Sequence, residues 1–239
     1  MVSHQLLKHM NNPILNIQNL STDYITSDKP IKAVKDVSLN INKGEIFGLV
    51  GESGSGKSTI AQAILRTLPP PAVITGGSIT INEKDILSSN TNEVLTYRWK
   101  QISIVMQSAL NALNPVLTIK DQILDVIDIH SQLSADETEK RIRELLALVD
   151  IDVNRLESYP HQLSGGMKQR IVLAIALALM PPLIIMDEPT TALDVIVERD
   201  IIAKIIQLRK ELGFTILFIT HDLNLLLDFA DKVAIMKDG

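Results

Sequence analysis

The stretch GESGSGKST, Gly51 to Thr59, limits what this chain can fold into more than any other. It has the spacing G-x-x-x-x-G-K-[ST]. It follows the short apolar run EIFGLVG and precedes a helical pattern from Lys57 to Leu68 that Pro69-Pro70-Pro71 stops. Glycine at these positions lets successive backbone N–H groups curl around phosphate oxygens. Lys57 places a cation at the β- and γ-phosphates, Ser58 offers a hydroxyl to Mg²⁺, and the helix N-terminus adds its partial positive charge. Gly51, Glu52, Ser53, Gly54, Ser55, Gly56, Lys57, Ser58 and Thr59 are therefore the candidate cradle for a nucleotide such as ATP. The motif needs a strand, a tight loop and a helix in that order, which selects an α/β fold.

The rest of the chain agrees. ILNIQNL and AVKDVSLNI alternate apolar and polar residues as half-exposed strands do, and GGSITI is a further strand candidate, so the first hundred residues read as mixed β with one helix. The middle is helical: Thr118-x-x-Asp121 and Ser134-x-x-Glu137 fit capping boxes, and Ile142, Leu145, Leu146 and Val149 share one helical face. A helix is expected from LSGG to Met180. From Pro181 onward strand and helix alternate: strand Leu183 to Met186, helix near Val197 to Leu212, strand Thr215 to Thr220, helix near Asn224 to Ala230, strand Lys232 to Met236. Alternation of that kind implies a parallel, doubly wound sheet.

Composition removes several function classes. The 239 residues include no cysteine, which excludes disulfides, thiolate metal sites and cysteine nucleophiles. A net charge of −5 gives no electrostatic footprint for nucleic acid. Residues 1–12 carry no secretory signal pattern and are expected to be a flexible extension. The most apolar run, Ile171 to Met186, is short for a membrane span and is broken by Pro181-Pro182, so it reads as a buried helix, a turn and a buried strand. The final Asp-Gly is a hairpin signal with no strand after it, and the natural protein is expected to continue.

Three further apolar runs end in polar residues: ISIVM before Gln107, LIIM before Asp187-Glu188, and TILFIT before His221-Asp222. Ligands of open α/β sheets bind beyond the carboxyl ends of the strands. Asp187 suits Mg²⁺ as the acidic partner of the phosphate loop, and Glu188 suits the polarisation of a water attacking the γ-phosphorus. Gln107 bridges metal and water in this reading, and His221 donates to the γ-phosphate and senses its loss.

A second glycine-rich helix start, LSGGMKQR from Leu163 to Arg170, lies more than a hundred residues downstream. With it the chain resembles the nucleotide-binding subunits of ABC transporters, over nearly its whole length from Ile14 to Gly239. The motifs stand in that family's order: Walker A at Gly51–Thr59, the Q-loop at Gln107, the signature at Leu163–Gln169, Walker B at Leu183–Asp187 with Glu188, the D-loop at Ala192-Leu193-Asp194 and the switch histidine His221. The resemblance implies a P-loop NTPase core with a mixed or parallel sheet (13–107 and 181–239), an antiparallel β subdomain and a helical signature subdomain (108–180). It also implies a head-to-tail dimer with a second ATP-binding domain. In that dimer Ser164, Gly165 and Gly166 cap the γ-phosphate held by the other chain, and Asp194 lies at the contact. Tyr24 is the nearest candidate for stacking on adenine.

The cues GESGSGKS, MQSALNALNPVLTI, YPHQLSGGMKQR and DEPTTALDV resemble, more finely, the ATPases of oligopeptide, dipeptide and nickel importers; oligosaccharide systems use very similar ATPases. This implies a peripheral protein on the cytoplasmic face of the cell membrane. Ser108 to Pro115 would face transmembrane permease subunits, and an extracellular solute-binding protein would be served indirectly. Those ATPases commonly continue into a C-terminal region carrying cysteines, of which this chain has none. Soluble ABC ATPases of DNA repair or translation share the motifs, but the repair forms carry long coiled coils between Walker A and signature, and the translation forms usually carry two cassettes. A nucleotide-dependent binding module without hydrolysis is the remaining alternative, and intact Gln107, Glu188 and His221 argue against it.

Overall fold

A computed structural model describes residues 13–106, 112–191 and 193–239. The backbone contacts group the chain into two units, Met1–Leu95 with Thr215–Gly239, and Thr96–Phe214. Elements are numbered in chain order.

In the first unit, β1 (Pro13–Tyr24) pairs antiparallel with β2 (Ile31–Asn42) on one side and β4 (Ala72–Ile81) on the other, and β5 (Lys84–Asp85) extends β4. The alternation in the sequence becomes alternation of burial: Leu15, Ile17, Leu20, Ile79 and Ile81 are buried. The register shifts between Ile17 and Leu20, where Asn19 and Asp36 take left-handed backbones and Asn19 Nδ2 donates to Asp36 Oδ1 at 2.7 Å. Opposite this bulge Gly77, at φ 89°, is obligatory, because a Cβ there would stand 2.5 Å from the Gln18 and Asn19 carbonyl oxygens.

The same unit holds a parallel trio. β3 (Ile46–Gly51) lies between β8 (Thr215–Thr220) and β9 (Lys232–Met236), with Val50 opposite Thr220 and Gly51 opposite Met236. The phosphate loop and His221 therefore leave neighbouring strands at the same end. Helix α1 spans Lys57–Leu65, shorter than the expected run to Leu68. Arg66 turns left-handed at φ 52°, its N–H returns to the Ala63 carbonyl, and its guanidinium donates to the Ile86 and Ser89 carbonyls. Helix α7 (Leu223–Leu227) is shorter than expected and starts on Asp222, which accepts from the Asn224 and Leu225 amides.

A short helix, α2 (Thr91–Tyr97), is not predicted by the sequence pattern. It buries no residue, so it has no apolar stripe to find. Its signal is local instead: Asn90 Oδ1 accepts from the Glu93 amide at 3.0 Å, and Glu93 Oε2 accepts from the Asn90 amide at 2.9 Å.

In the second unit, β6 (Ile102–Val105) and β7 (Leu183–Asp187) run parallel with Val105 opposite Met186. Around them lie α3 (Ile119–His130), α4 (Ala135–Leu148), α5 (Gly165–Ala176) and α6 (Val195–Leu212). Both expected capping boxes are formed, by Thr118 with Asp121 and by Ser134 with Glu137. The hydrogen bonds from Ser134 hold the Glu137 carboxyl below its ordinary range. Ile119, Ile123, Ile127, Ile142, Leu145, Leu146 and Ile171 are fully buried and form the core of the helical part. Helix α5 ends at Ala176 rather than Met180. The Arg141 side chain donates to the Leu177 and Ala178 carbonyls just past the helix end, and Met180 turns left-handed ahead of Pro181. Among the described residues no helix is long and apolar enough to cross a membrane.

Candidate functional site

The phosphate loop has the geometry its glycines allow. Gly54 and Gly56 sit at φ 81° and 103°. A Cβ on Gly56 would stand 2.2 Å from the Ala33 carbonyl oxygen, and one on Gly51 2.3 Å from that of Met236, so the loop backbone is pressed between β2 and β9. Ser55, Lys57 and Thr59 are buried, while Glu52, Ser53 and Gly54 face solvent and Ser58 is half-buried. Lys57, only 5% exposed, turns its ammonium back into the loop and donates to the Gly51 carbonyl at 2.8 Å and the Glu52 carbonyl at 2.7 Å, with Ser55 Oγ at 3.4 Å. Its acceptors are thus all neutral. A buried cation satisfied only by neutral oxygens, beside a helix N-terminus, is an electrostatic seat for an anion.

The helix starts divide by charge. Helices α3, α4 and α6 carry carboxylates in their first turns, at Asp121, at Asp136 and Glu137, and at Glu198. Helices α1 and α5, which begin on glycine-rich motifs, carry none, and neither does the short α7, whose cap is Asp222. At α1 and α5 the partial positive charge of the N-terminus is therefore not offset by a first-turn carboxylate.

In the second unit, Ser164 caps α5, accepting from the Met167 amide at 3.3 Å, and stays exposed. Gly165 and Gly166 follow in ordinary helical backbone. A Cβ on Gly166 would come within 2.9 Å of Val197 Cγ1, so the glycine permits α5 to approach α6 closely. Asp194 is exposed and caps α6, accepting from the Ile196 and Val197 amides. The two motifs are further joined through Asp150, just past α4. Its carboxylate takes 2.9 Å bonds from Arg170 on α5 and from Lys204 on α6. The bond from Lys204, reinforced by Arg170, holds the Asp150 carboxyl below its ordinary range.

Asp187 ends β7 with 7% exposure. Glu188 follows at φ 48°, outside the strand and half-buried, and its Oε2 accepts from the Thr191 hydroxyl at 2.9 Å. The neighbouring Thr190 is buried and donates to Glu198 of α6 at 2.6 Å. Both threonines lie in the DEPTTALDV stretch, but the sequence assigns neither a role; their side-chain bonds depend on how the turn folds back, which periodicity does not encode. His221 leaves β8 exposed to solvent. Tyr24, expected in a loop, is the last residue of β1, half-buried and opposite Ile31 and Ala72.

Gln107, Ser108 to Asn111 and Ala192 lie outside the described residues. The loop from Asn114 to Thr118 is pinned by Gln122, another residue that nothing in the sequence pattern singles out. Its amide oxygen accepts from the Asn114 N–H at 2.8 Å, and its Nε2 reaches the carbonyls of Asn114, Leu117 and Thr118. Val116 is thereby held 75% exposed.

The family profile described as "ABC transporter" matches residues 34–191. The chain is 39% identical over 229 residues to the oligopeptide transport ATP-binding protein OppD of Bacillus subtilis, covering 95% of this chain and 64% of that protein. It is 40% identical to the dipeptide transport ATP-binding protein DppD of the same organism, covering 95% and 68%. The chain thus spans about two thirds of these relatives. Among solved structures, the ATP-binding cassette MJ0796, in a dimeric post-hydrolysis state bound to ADP and Pi, superimposes with a TM-score of 0.82 at 32% identity, covering 94% of this chain and 95% of that one.

Proposed function

Because this chain belongs to the ABC transporter family, we propose that it is the ATP-hydrolysing subunit of an importer for oligopeptides or dipeptides. The observation that carries the reading is Lys57, a buried ammonium satisfied only by neutral oxygens at the mouth of a helix with no acidic first turn. In this reading the loop from Gly51 to Thr59 grips the β- and γ-phosphates of ATP. Ser58, Gln107 and Asp187 are oxygen donors of the kind Mg²⁺ prefers, and one or two carboxylates with phosphates and waters suffice for that ion. Mg²⁺, when bound, neutralises charge on the phosphate oxygens. Glu188 accepts the proton of the attacking water, Gln107 helps to hold that water, and His221 donates to the γ-phosphate. Tyr24 is the residue proposed against the adenine.

The second phosphate device serves a second chain. Ser164, Gly165 and Gly166 present a hydroxyl, two unobstructed amides and a helix N-terminus outward. In a head-to-tail dimer they close over ATP held by the partner, with Asp194 at the contact. ATP then holds the dimer together, and hydrolysis releases it. The segment after Gln107, with exposed Val116 on its Gln122-braced base, is the proposed contact with transmembrane permease subunits at the cytoplasmic face of the membrane. The solute-binding protein is linked only through those subunits.

The test is Glu188→Gln, which keeps shape and hydrogen bonding while removing the base. Hydrolysis is expected to fall at least about a hundredfold while Mg²⁺-ATP still binds, and size-exclusion chromatography is expected to show an ATP-dependent dimer. A variant that binds ATP yet stays monomeric at every concentration would overturn the sandwich.

A further inference from the structure

The geometry points to Thr191 as a positioning residue for Glu188, an inference that rests on the hydrolytic role given to Glu188 above. A glutamate reaches its reacting position through three torsions, the last of them broad, so its carboxylate needs an external constraint to hold one orientation. Here the constraint is local. The Thr191 hydroxyl donates to Glu188 Oε2 at 2.9 Å, and the Thr191 amide returns to the Glu188 carbonyl at 3.3 Å, so one residue fixes both ends of the glutamate.

Thr191 is exposed, but the residue before it is tied down. Thr190, immediately before it, is 6% exposed and tied to Glu198 of α6 at 2.6 Å. The Leu193 amide returns to the Thr190 carbonyl at 3.1 Å. Threonine is β-branched and stiff at χ1, so a hydroxyl held on this backbone keeps its direction. Glu188 has a left-handed backbone, φ 48°, a conformation that costs a non-glycine residue energy and persists where the surroundings impose it. The turn closed by Thr191 is such a surrounding. A carboxylate offers about four lone-pair sites, so the bond from Thr191 orients it without exhausting its capacity to take a proton. The hydroxyl does not act on phosphate or water; it acts through Glu188.

The experiment compares Thr191→Val, which keeps the branched shape and deletes the donor, with Thr191→Ser, which keeps the donor. The wild-type chain and Glu188→Gln serve as references. Steady-state ATP hydrolysis with Mg²⁺ gives kcat and KM for each. Thr191→Val is expected to lower kcat about five- to tenfold, the size of one lost hydrogen bond, with KM unchanged within about twofold. Thr191→Ser is expected to recover most of kcat. Combining Thr191→Val with Glu188→Gln should add no further loss, because the group being positioned is already gone. If Glu188→Gln is inactive but Thr191→Val matches wild type, the inference falls and the role of Glu188 stands. If Glu188→Gln hydrolyses ATP as fast as wild type, or wild type does not hydrolyse it, both fall. A Thr191→Val loss that appears in KM, or that serine does not rescue, assigns Thr191 to packing or binding and overturns the positioning role.

Discussion

Among the described residues two helices begin on glycine-rich turns, and the two N-termini are built in opposite ways. At α1 Gly54 and Gly56 are left-handed, the loop is pressed between strands, and the cation is buried inside it. At α5 the glycines are right-handed, the capping Ser164 is exposed, and the first turn behind it is half-buried. Neither helix carries an acid in its first turn, so both favour an anion. The first is a finished nest made by one chain. The second leaves its capping Ser164 exposed, and the proposed head-to-tail dimer would use it to close over a partner's ligand.

The sharpest way to break that comparison is to damage each site alone. Lys57→Ala removes the cation from the finished nest and is expected to lower both ATP affinity of the monomer and hydrolysis at least about a hundredfold. Gly165→Asp places a carboxylate at the second one. That substitution suits a helix first turn, so the fold is retained while the charge repels phosphate. Hydrolysis is expected to fall about a hundredfold, with ATP binding by the monomer unchanged within about twofold, read by a fluorescent nucleotide titration. Loss of monomer binding in Gly165→Asp would show that the two sites are not separate.

A smaller effect distinguishes the two glycine sets by stability. Gly56→Ala forces a Cβ to 2.2 Å from a backbone oxygen at φ 103°, and is expected to destabilise by about 3 kcal/mol in denaturant melts. Gly166→Ala gains about 1 kcal/mol of helix preference but meets the flexible end of Val197 at 2.9 Å, for a net change within about 1 kcal/mol. Adding Val197→Ala to Gly166→Ala should cost less than the sum of the single changes, because it removes that contact.

Much of this contrast is legible in the sequence, and the reasons differ by residue. The loop at Gly51–Thr59 and the buried strand ending at Asp187 are readable because spacing and apolar run length encode them directly. The Thr118 and Ser134 caps are readable because their partners lie three residues away, and both boxes form. Helix ends are less legible: α1 stops at Leu65 and α5 at Ala176 because Arg66 turns left-handed and Arg141, from another helix, caps the second. The roles of Thr191, although it stands within DEPTTALDV, and of Gln122 are not legible, because their bonds depend on how a turn or loop folds back onto its neighbour. Asp150 is equally invisible, since its partners stand 20 and 54 residues away.

Asp150 gives a similarly small effect and probes what holds the second N-terminus in place. It ties Arg170 on α5 to Lys204 on α6, so it fixes the helix that presents Ser164 against the helix that Asp194 caps. Asp150→Asn suits the left-handed backbone at φ 54°, removes the charge and turns one of the two acceptor oxygens into an NH2 donor. The Lys204 side chain is 9% exposed, so losing its anion matters, but the Asp150 side chain is 59% exposed and solvent screens the pair. The expected loss is therefore about 1 kcal/mol at neutral pH, seen as a small drop in melting temperature. The sign with pH comes from the depressed carboxyl. Its stabilisation is fully present above the unfolded value of about 3.9 and is lost as pH falls through the lower folded value. Wild type and Asp150→Asn should thus differ at pH 7 and converge in acid. A gap that stays constant down to pH 3 would mean the bridge contributes through shape rather than charge.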